Sequence, residues 1–234
     1  SNVMKLDNFN GYVPGLTVAK NDGAGRVVTI RGIGWETAQN LASQPSVLTY
    51  IDGIYLANPL SMGLDLGEIE RVEVFRGPQG TEFGQGTTGG AINLVTKKPV
   101  LGETSGYFEA GYGNYQTVNL RTAVNFPMGD NSAIRASIQK HSHEGFAEIK
   151  GGAIDGYELD DADSISAKVA LLFEPSETFS LLLQGFVHES DQNAAAQKNI
   201  ADPNPNPREL TQDYPGIFNL DTETISLIME WQIS

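Results

Sequence analysis

Between residues 117 and 233 the chain returns, segment after segment, to one pattern, an apolar side chain at every second position. Val118, Leu120, Thr122, Val124 and Phe126 face one way, and Thr117, Asn119, Arg121, Ala123 and Asn125 face the other. Ile134, Ala136 and Ile138 alternate with Arg135, Ser137 and Gln139, and the pattern returns with Ile165, Ala167, Val169, Leu171 and Phe173. It returns again with Phe179, Leu181, Leu183 and Val187, then with Ile225, Leu227, Met229, Trp231 and Ile233. A period of two belongs to a strand with one apolar and one polar face. With a shorter run over Tyr107–Tyr112, the second half reads as six antiparallel strands.

The connections between these strands alternate in length. Pro127–Asn131 and Glu174–Glu177 are tight turns, whereas 144–163 and 189–221 are expected as long polar loops rich in Gly, Asp, Asn and Pro. Transmembrane barrels have short turns on one side and long loops on the other, and their strands of about ten tilted residues match a bilayer core. Soluble β-sandwiches also alternate, with shorter strands and more even loops. An open sheet edge cannot face lipid, and membrane barrels have at least about eight strands. Six strands therefore imply either a piece of a larger barrel or a sheet that is not in a membrane.

Charge divides the chain at the same place as pattern does. Residues 1–99 hold eight Lys/Arg against nine Asp/Glu, and residues 100–234 hold seven against twenty. The net charge of −14 argues against a nucleic-acid partner, which requires a basic face. No run of apolar residues is long enough for a membrane helix, which leaves a spanning barrel open. The start, SNVMKLDNFN, has neither the basic nor the apolar region of a signal peptide. Absence of cysteine removes disulfides, thiolate nucleophiles and cysteine-bearing metal centres. The break falls at Thr96-Lys97-Lys98-Pro99, giving expected domains of 1–99 and 100–234.

The first domain reads as a small α+β unit with many glycine turns. Residues 26–32 form a strand, and Val47 to Leu56 form a hairpin around Asp52-Gly53, residues that tolerate positive φ. IERVEVFRGPQG is a further strand, and TEFGQGTTGG leads into the apolar run AINLVTKKP. Gly84 to Gly89 spells GxGxxG, but the β-branched run that follows is strand-like and no βαβ unit surrounds it. A tight backbone passage explains these glycines better than a nucleotide does.

The run from Val13-Pro14-Gly15-Leu16 through IRGIG, YIDGIYL, DLGEIERVEVFRGPQGTEFG and TTGGAINLVTKKP resembles the plug domain of TonB-dependent outer-membrane receptors. It covers most of residues 12–99, with the motifs in one order. The resemblance implies that residues 1–99 are a plug lacking its N-terminal part. It implies that residues 100–234 are the first six of the roughly 22 strands of a barrel whose lumen the plug fills. The segment that binds the TonB energy-transducing protein would lie before Val3. Gln85-Gly86 stands where the family often has Arg-Asn, and Glu82 where it has an apolar residue.

The resemblance further implies ligand capture and gated passage in the bacterial outer membrane, without catalytic residues or a cofactor. A ferric siderophore is the default ligand, with carbohydrate and cobalamin as alternatives, and outer-membrane lipid and the TonB complex are the other partners. A secreted β-rich carbohydrate-binding module or hydrolase is the competitor from a different class. Ligand-binding candidates are the apical plug residues Trp35, Glu36, Thr37, Gln39 and Asn40, and Asn58, Pro59, Leu60, Ser61 and Met62. Trp and amide groups suit a flat amphipathic ligand. Glu70, Arg71, Glu73 and Arg76 are the candidate plug–barrel contacts, since two arginines and two glutamates on one enclosed strand need partners. No metal site is expected. His141 and His143 share a strand face but lack a third ligand, and Asp160, Asp161 and Asp163 lack calcium-loop spacing. Nothing in the sequence relates Glu223 to Glu230 as a glycosidase pair.

Overall fold

The computed structural model describes residues 9–20, 26–34, 45–56, 67–80 and 87–233. The chain divides into two compact units, Ser1–Lys97 and Lys98–Ser234.

In the first unit, β1 (Leu16–Lys20), β2 (Arg26–Ile30) and β3 (Ile33–Gly34) form an antiparallel sheet in chain order. A second sheet contains β4 (Val47–Ile51), β5 (Ile54–Tyr55), β6 (Ile69–Arg76) and β7 (Gly90–Thr96), in the order β5-β4-β7-β6. Its central pair, β4 and β7, is parallel. Both strands are buried almost end to end, which is why VLTYI and GAINLVT read as runs and not as alternation. Leu48, Tyr50 and Ala91 form a core cluster against which Phe75 packs. Among the described residues of this unit strands and turns dominate, and Gly80 is helical.

Two local features hold this sheet together. Asp52 (φ 50°) and Gly53 (φ 81°) make the tight β4–β5 turn anticipated from the sequence. The Asp52 carboxylate accepts from the Thr96 backbone N–H at 2.8 Å and the Thr96 hydroxyl at 2.6 Å, which ties the turn to the end of β7. Gly90 (φ 145°) passes so close to β6 that a Cβ would lie 2.3 Å from the Phe75 carbonyl oxygen. Only glycine fits there; Gly89 beside it is also tight, a Cβ lying 2.9 Å from Ile33 Cγ2, and Gly84 and Gly86 lie outside the described residues.

The second unit adds β8 (Ser105–Tyr112), β9 (Val118–Pro127), β10 (Ser132–His143), β11 (Ala147–Ile149), β12 (Glu158–Leu159), β13 (Ala162–Ser176), β14 (Phe179–Asn193), β15 (Glu209–Leu210) and β16 (Ile217–Trp231). The six long strands form one antiparallel sheet in the order β8-β9-β10-β13-β14-β16. The long polar loops expected at 144–163 and 189–221 are present with narrower bounds. β13 begins at Ala162, β14 runs to Asn193 and β16 begins at Ile217, while β12, β11 and β15 pair into a small sheet of their own. Hydrophobic alternation could not mark these extensions, because Glu189 and Asp191 put charge on the otherwise apolar face.

The polarity of the long sheet is inverted relative to a water-soluble core. Ile225 is 84% and Trp231 70% exposed, whereas Gln139, Ser166 and His188 are 4%, 3% and 4% exposed. Val124, Val169, Leu183 and Val187 share the outward face with Ile225. A soluble sandwich would bury that face, since burial yields about 25 cal/mol per Å² of apolar surface.

Candidate functional site

Cross-strand register stacks the inward side chains into lateral rows. One row runs Glu109, Arg121, Gln139, Ser166, His188 and Thr222 across all six long strands. Arg121 Nη1 donates to Glu109 Oε2 at 3.3 Å, and Ser166 Oγ lies 2.8 Å from His188 Nδ1. The next row toward the long loops includes Asn119, His141, Ser164 and Ser190. In the other direction come Ser137 with Lys168, then Asn125, Arg135 and Gln184. The Asn125 side chain accepts from Val100 N–H and donates to the carbonyls of Val100 and Glu103, fastening the segment before β8 to the wall. Such a face suits an enclosed polar interior.

At the long-loop end, the small sheet buries Ile149, Leu159 and Leu210, with Ile154, Tyr157, Ala194 and Ala196 packed around them. Lys198 clamps the second loop, its ammonium donating to the carbonyls of Asn204, Asn206 and Glu209 at 2.6 Å each. Asp202 accepts from the Thr211 and Asn204 N–H groups at 2.6 and 2.9 Å. These bonds to the charged form hold its carboxyl below the usual range. Asp160 and Asp161 accept from the backbones of Ala196 and Asn193, so this acidic run ties the two loops together. Asp163 pairs with Lys140.

Three loops meet at an aromatic knot. Tyr115 from the β8–β9 turn sits edge-on to Phe146, and Phe146 stacks on His143 at 4.4 Å between ring centres. The Arg208 guanidinium lies 5.5 Å from the Tyr115 ring centre. A groove of about 210 Å³ borders the knot, lined by Tyr115, Phe146, Glu148, Glu158 and Arg208 among others. His141 contacts Asn119 Oδ1 at 2.6 Å and His143 contacts the Glu144 carbonyl at 2.8 Å, so both imidazoles are engaged locally. Glu223 and Glu230, seven residues apart on one strand, lie on opposite faces. Sequence reasoning missed the knot; its faint signal is Phe146, an aromatic isolated in a Gly- and acid-rich loop.

The charged strand of the first unit is described in full. Arg71 Nε lies 2.8 Å from Glu73 Oε1, and Arg71 Nη1 lies 3.6 Å from Glu70 Oε1. Asn93 Nδ2 donates to Glu73 Oε2 at 2.9 Å while its own carbonyl accepts from Gly53 N–H at 3.0 Å. The bond from Asn93, followed by that from Arg71, holds the Glu73 carboxyl below its usual range. Arg76 closes the strand, exposed. The apical candidates Trp35, Glu36, Thr37, Gln39, Asn40, Asn58, Pro59, Leu60, Ser61 and Met62 lie outside the described residues.

The sequence profile of the TonB-dependent Receptor Plug Domain matches residues 2–91. Residues 2–91 carry the plug domain of TonB-dependent receptors, and the chain is similar to receptors of that family. It combines that family's plug with antiparallel strands of its barrel, the barrel being partial and not closed. The pesticin receptor of Yersinia pestis is 31% identical over 128 residues, which cover 55% of this chain and 18% of that protein. A probable TonB-dependent siderophore receptor of Acinetobacter baumannii, PiuA, is 31% identical over 143 residues, covering 59% of this chain and 17% of that one. The chain thus spans less than a fifth of the length of these curated relatives. Among solved structures, the ferric yersiniabactin uptake receptor FyuA from Yersinia pestis superposes with a TM-score of 0.81 at 21% identity, covering 97% of this chain and 35% of that one. The ferripyoverdine receptor of Pseudomonas aeruginosa gives 0.70 at 20% identity, covering 94% and 28%. These likenesses show the fold.

Proposed function

We propose that this chain is part of an outer-membrane receptor that binds and imports a ferric siderophore, drawing energy from the TonB complex and performing no covalent chemistry. The observation that carries this reading is the inverted polarity of the six-stranded wall in a chain whose other unit is a plug. An apolar outward face and a polar inward face are what a lipid-embedded, water-filled barrel requires. Siderophore receptors among the relatives and structural neighbours support the ligand class.

Apical plug residues Trp35–Asn40 and Asn58–Met62 would form the floor of the ligand vestibule, and the knot of Tyr115, Phe146 and Arg208 would stiffen its wall. Glu70, Arg71, Glu73 and Arg76 would supply exchangeable plug–wall contacts. Exposed ion pairs contribute only about 0–1 kcal/mol each, which suits a plug that must be held and yet move.

Disrupting the gene, then measuring uptake of radioactive iron presented on a panel of siderophores, tests the reading. Loss of uptake from one siderophore, restored by the intact gene and not by a TonB-deficient strain, is the expected result. Growth defects on a glycan or on cobalamin with normal iron uptake would reassign the ligand.

A further inference from the structure

A lysine ammonium offers three N–H bonds, and that of Lys198 gives all three to backbone carbonyls, those of Asn204, Asn206 and Glu209. Asp202, its side chain 2% exposed, brings a carboxylate oxygen to 3.9 Å and supplies the countercharge. The sequence builds this cage in advance. In Asp202-Pro203-Asn204-Pro205-Asn206-Pro207 every acid or amide precedes a proline, which pushes its backbone toward extended conformations. The prolines themselves have no N–H to compete for the carbonyls. Side-chain oxygens shape the loop and leave the ammonium to the backbone: Asp202 accepts from the Asn204 and Thr211 N–H groups, Asn206 from Arg208 N–H, and Asn199 from Ala201 N–H. The spacing of Asp202, Asn204 and Asn206 is that of the first three ligand positions of a calcium loop, but the sixth position, where that loop needs glycine, is Pro207. The positive charge inside is the ammonium of Lys198.

We propose that residues 198–211 form a cation-templated loop whose cation is covalently attached, so that cutting Lys198 back to alanine opens a preformed site for a small primary ammonium ion. The acceptors select this class of ligand. Three converging carbonyls match three N–H bonds, which a quaternary ammonium lacks, and the part of lysine beyond Cβ is propylammonium. The clamp also acts beyond its own loop. Glu209 and Leu210 form β15, which pairs with β11, and the Arg208 and Leu210 carbonyls accept from Glu148 and Lys150 N–H at 2.9 Å each. Arg208 in turn lies over Tyr115. Lys198 is thus a positioning residue for the small sheet and the aromatic knot, whatever the receptor imports.

Hydrogen exchange in the purified full-length receptor, followed at the amides of 147–150 and 208–211, tests this. Lys198→Ala should speed exchange there about tenfold or more, the least expected from losing a hydrogen bond to a charged group, while β9, β10 and β13 stay protected. Propylammonium should restore protection saturably, and tetramethylammonium or sodium chloride at equal ionic strength should not. Lys198→Met, which keeps the stem and removes the donors, should exchange as fast as Lys198→Ala and resist rescue, because its stem fills the space. Chelator should change nothing in the parent. Parental protection in either variant would overturn the clamp, and loss of protection spread over β9, β10 and β13 would overturn its local role. Fast exchange in Lys198→Ala that propylammonium leaves unchanged would overturn the preformed site. Equal rescue by tetramethylammonium would overturn the match of three donors to three carbonyls, and faster exchange of the parent in chelator would show that a metal templates the loop instead.

Discussion

The central strands of the plug and the strands of the wall obey opposite rules for the same side chains. On β7, Ala91, Ile92, Leu94 and Val95 are buried, and polar Asn93 survives only by bridging Gly53 and Glu73. On β14, Leu183 and Val187 point outward while Gln184, His188 and Ser190 are buried. Both are strands in one chain, so secondary structure does not decide which residues are inside. The surroundings do: water drives the plug's apolar groups together, whereas on the outer-membrane reading proposed above hydrocarbon would meet those of the wall.

Substitutions can break or sharpen this contrast. The largest effect is expected at Ile92, 0% exposed, where Ile92→Ala should cost about 2–5 kcal/mol in denaturant unfolding of the plug. The outward Ile225→Ala on the wall should cost well under that. Leu183→Lys, at mid-band on the outward face, should cost about 2–4 kcal/mol in folding into bilayers. The same change at inward Gln184 should cost far less. Asp52→Ala removes both bonds to Thr96 and should destabilise the plug by about 1–3 kcal/mol, detected as a lowered Tm.

The smallest effect concerns pH. Glu73 has a lowered folded pKa, so its contribution is complete above its unfolded value, near 4.5, and is lost as pH falls through the folded value. Because the pair with Arg71 is partly solvated, the loss should stay under about 1 kcal/mol, and Glu73→Gln should flatten that part of the stability profile.

Much of this architecture was legible in the sequence. Period-two alternation marked all six long strands, and Asp52-Gly53 marked the hairpin, because one residue type at one spacing satisfies each. The ends of β13, β14 and β16 were not legible, since beyond Ile165 and Val187 both faces become polar. Nor was the small sheet of the loops, whose buried Ile149, Leu159 and Leu210 come from three separated segments of two or three residues. Asp160 and Asp161 show in the sequence only as an acidic run without calcium-loop spacing, and Asp202 carries no signal there, yet all three accept backbone N–H bonds that only the folded loops bring to them. Glu70, Arg71 and Glu73 are neighbours by their positions on one strand, but Asn93, which bridges Glu73 to the turn, is recognisable only once β7 lies between β4 and β6.

Site-by-site accessibility along β14 reports which face of the wall meets lipid. The chain has no cysteine, so single cysteines carrying spin labels can be placed at 181 to 188 in the membrane-inserted receptor. Odd positions, Leu181, Leu183, Gly185 and Val187, should collide with lipid-dissolved oxygen, and even positions, Leu182, Gln184, Phe186 and His188, should be shielded from it. The reversed phase, or no alternation between neighbouring positions, would contradict the account.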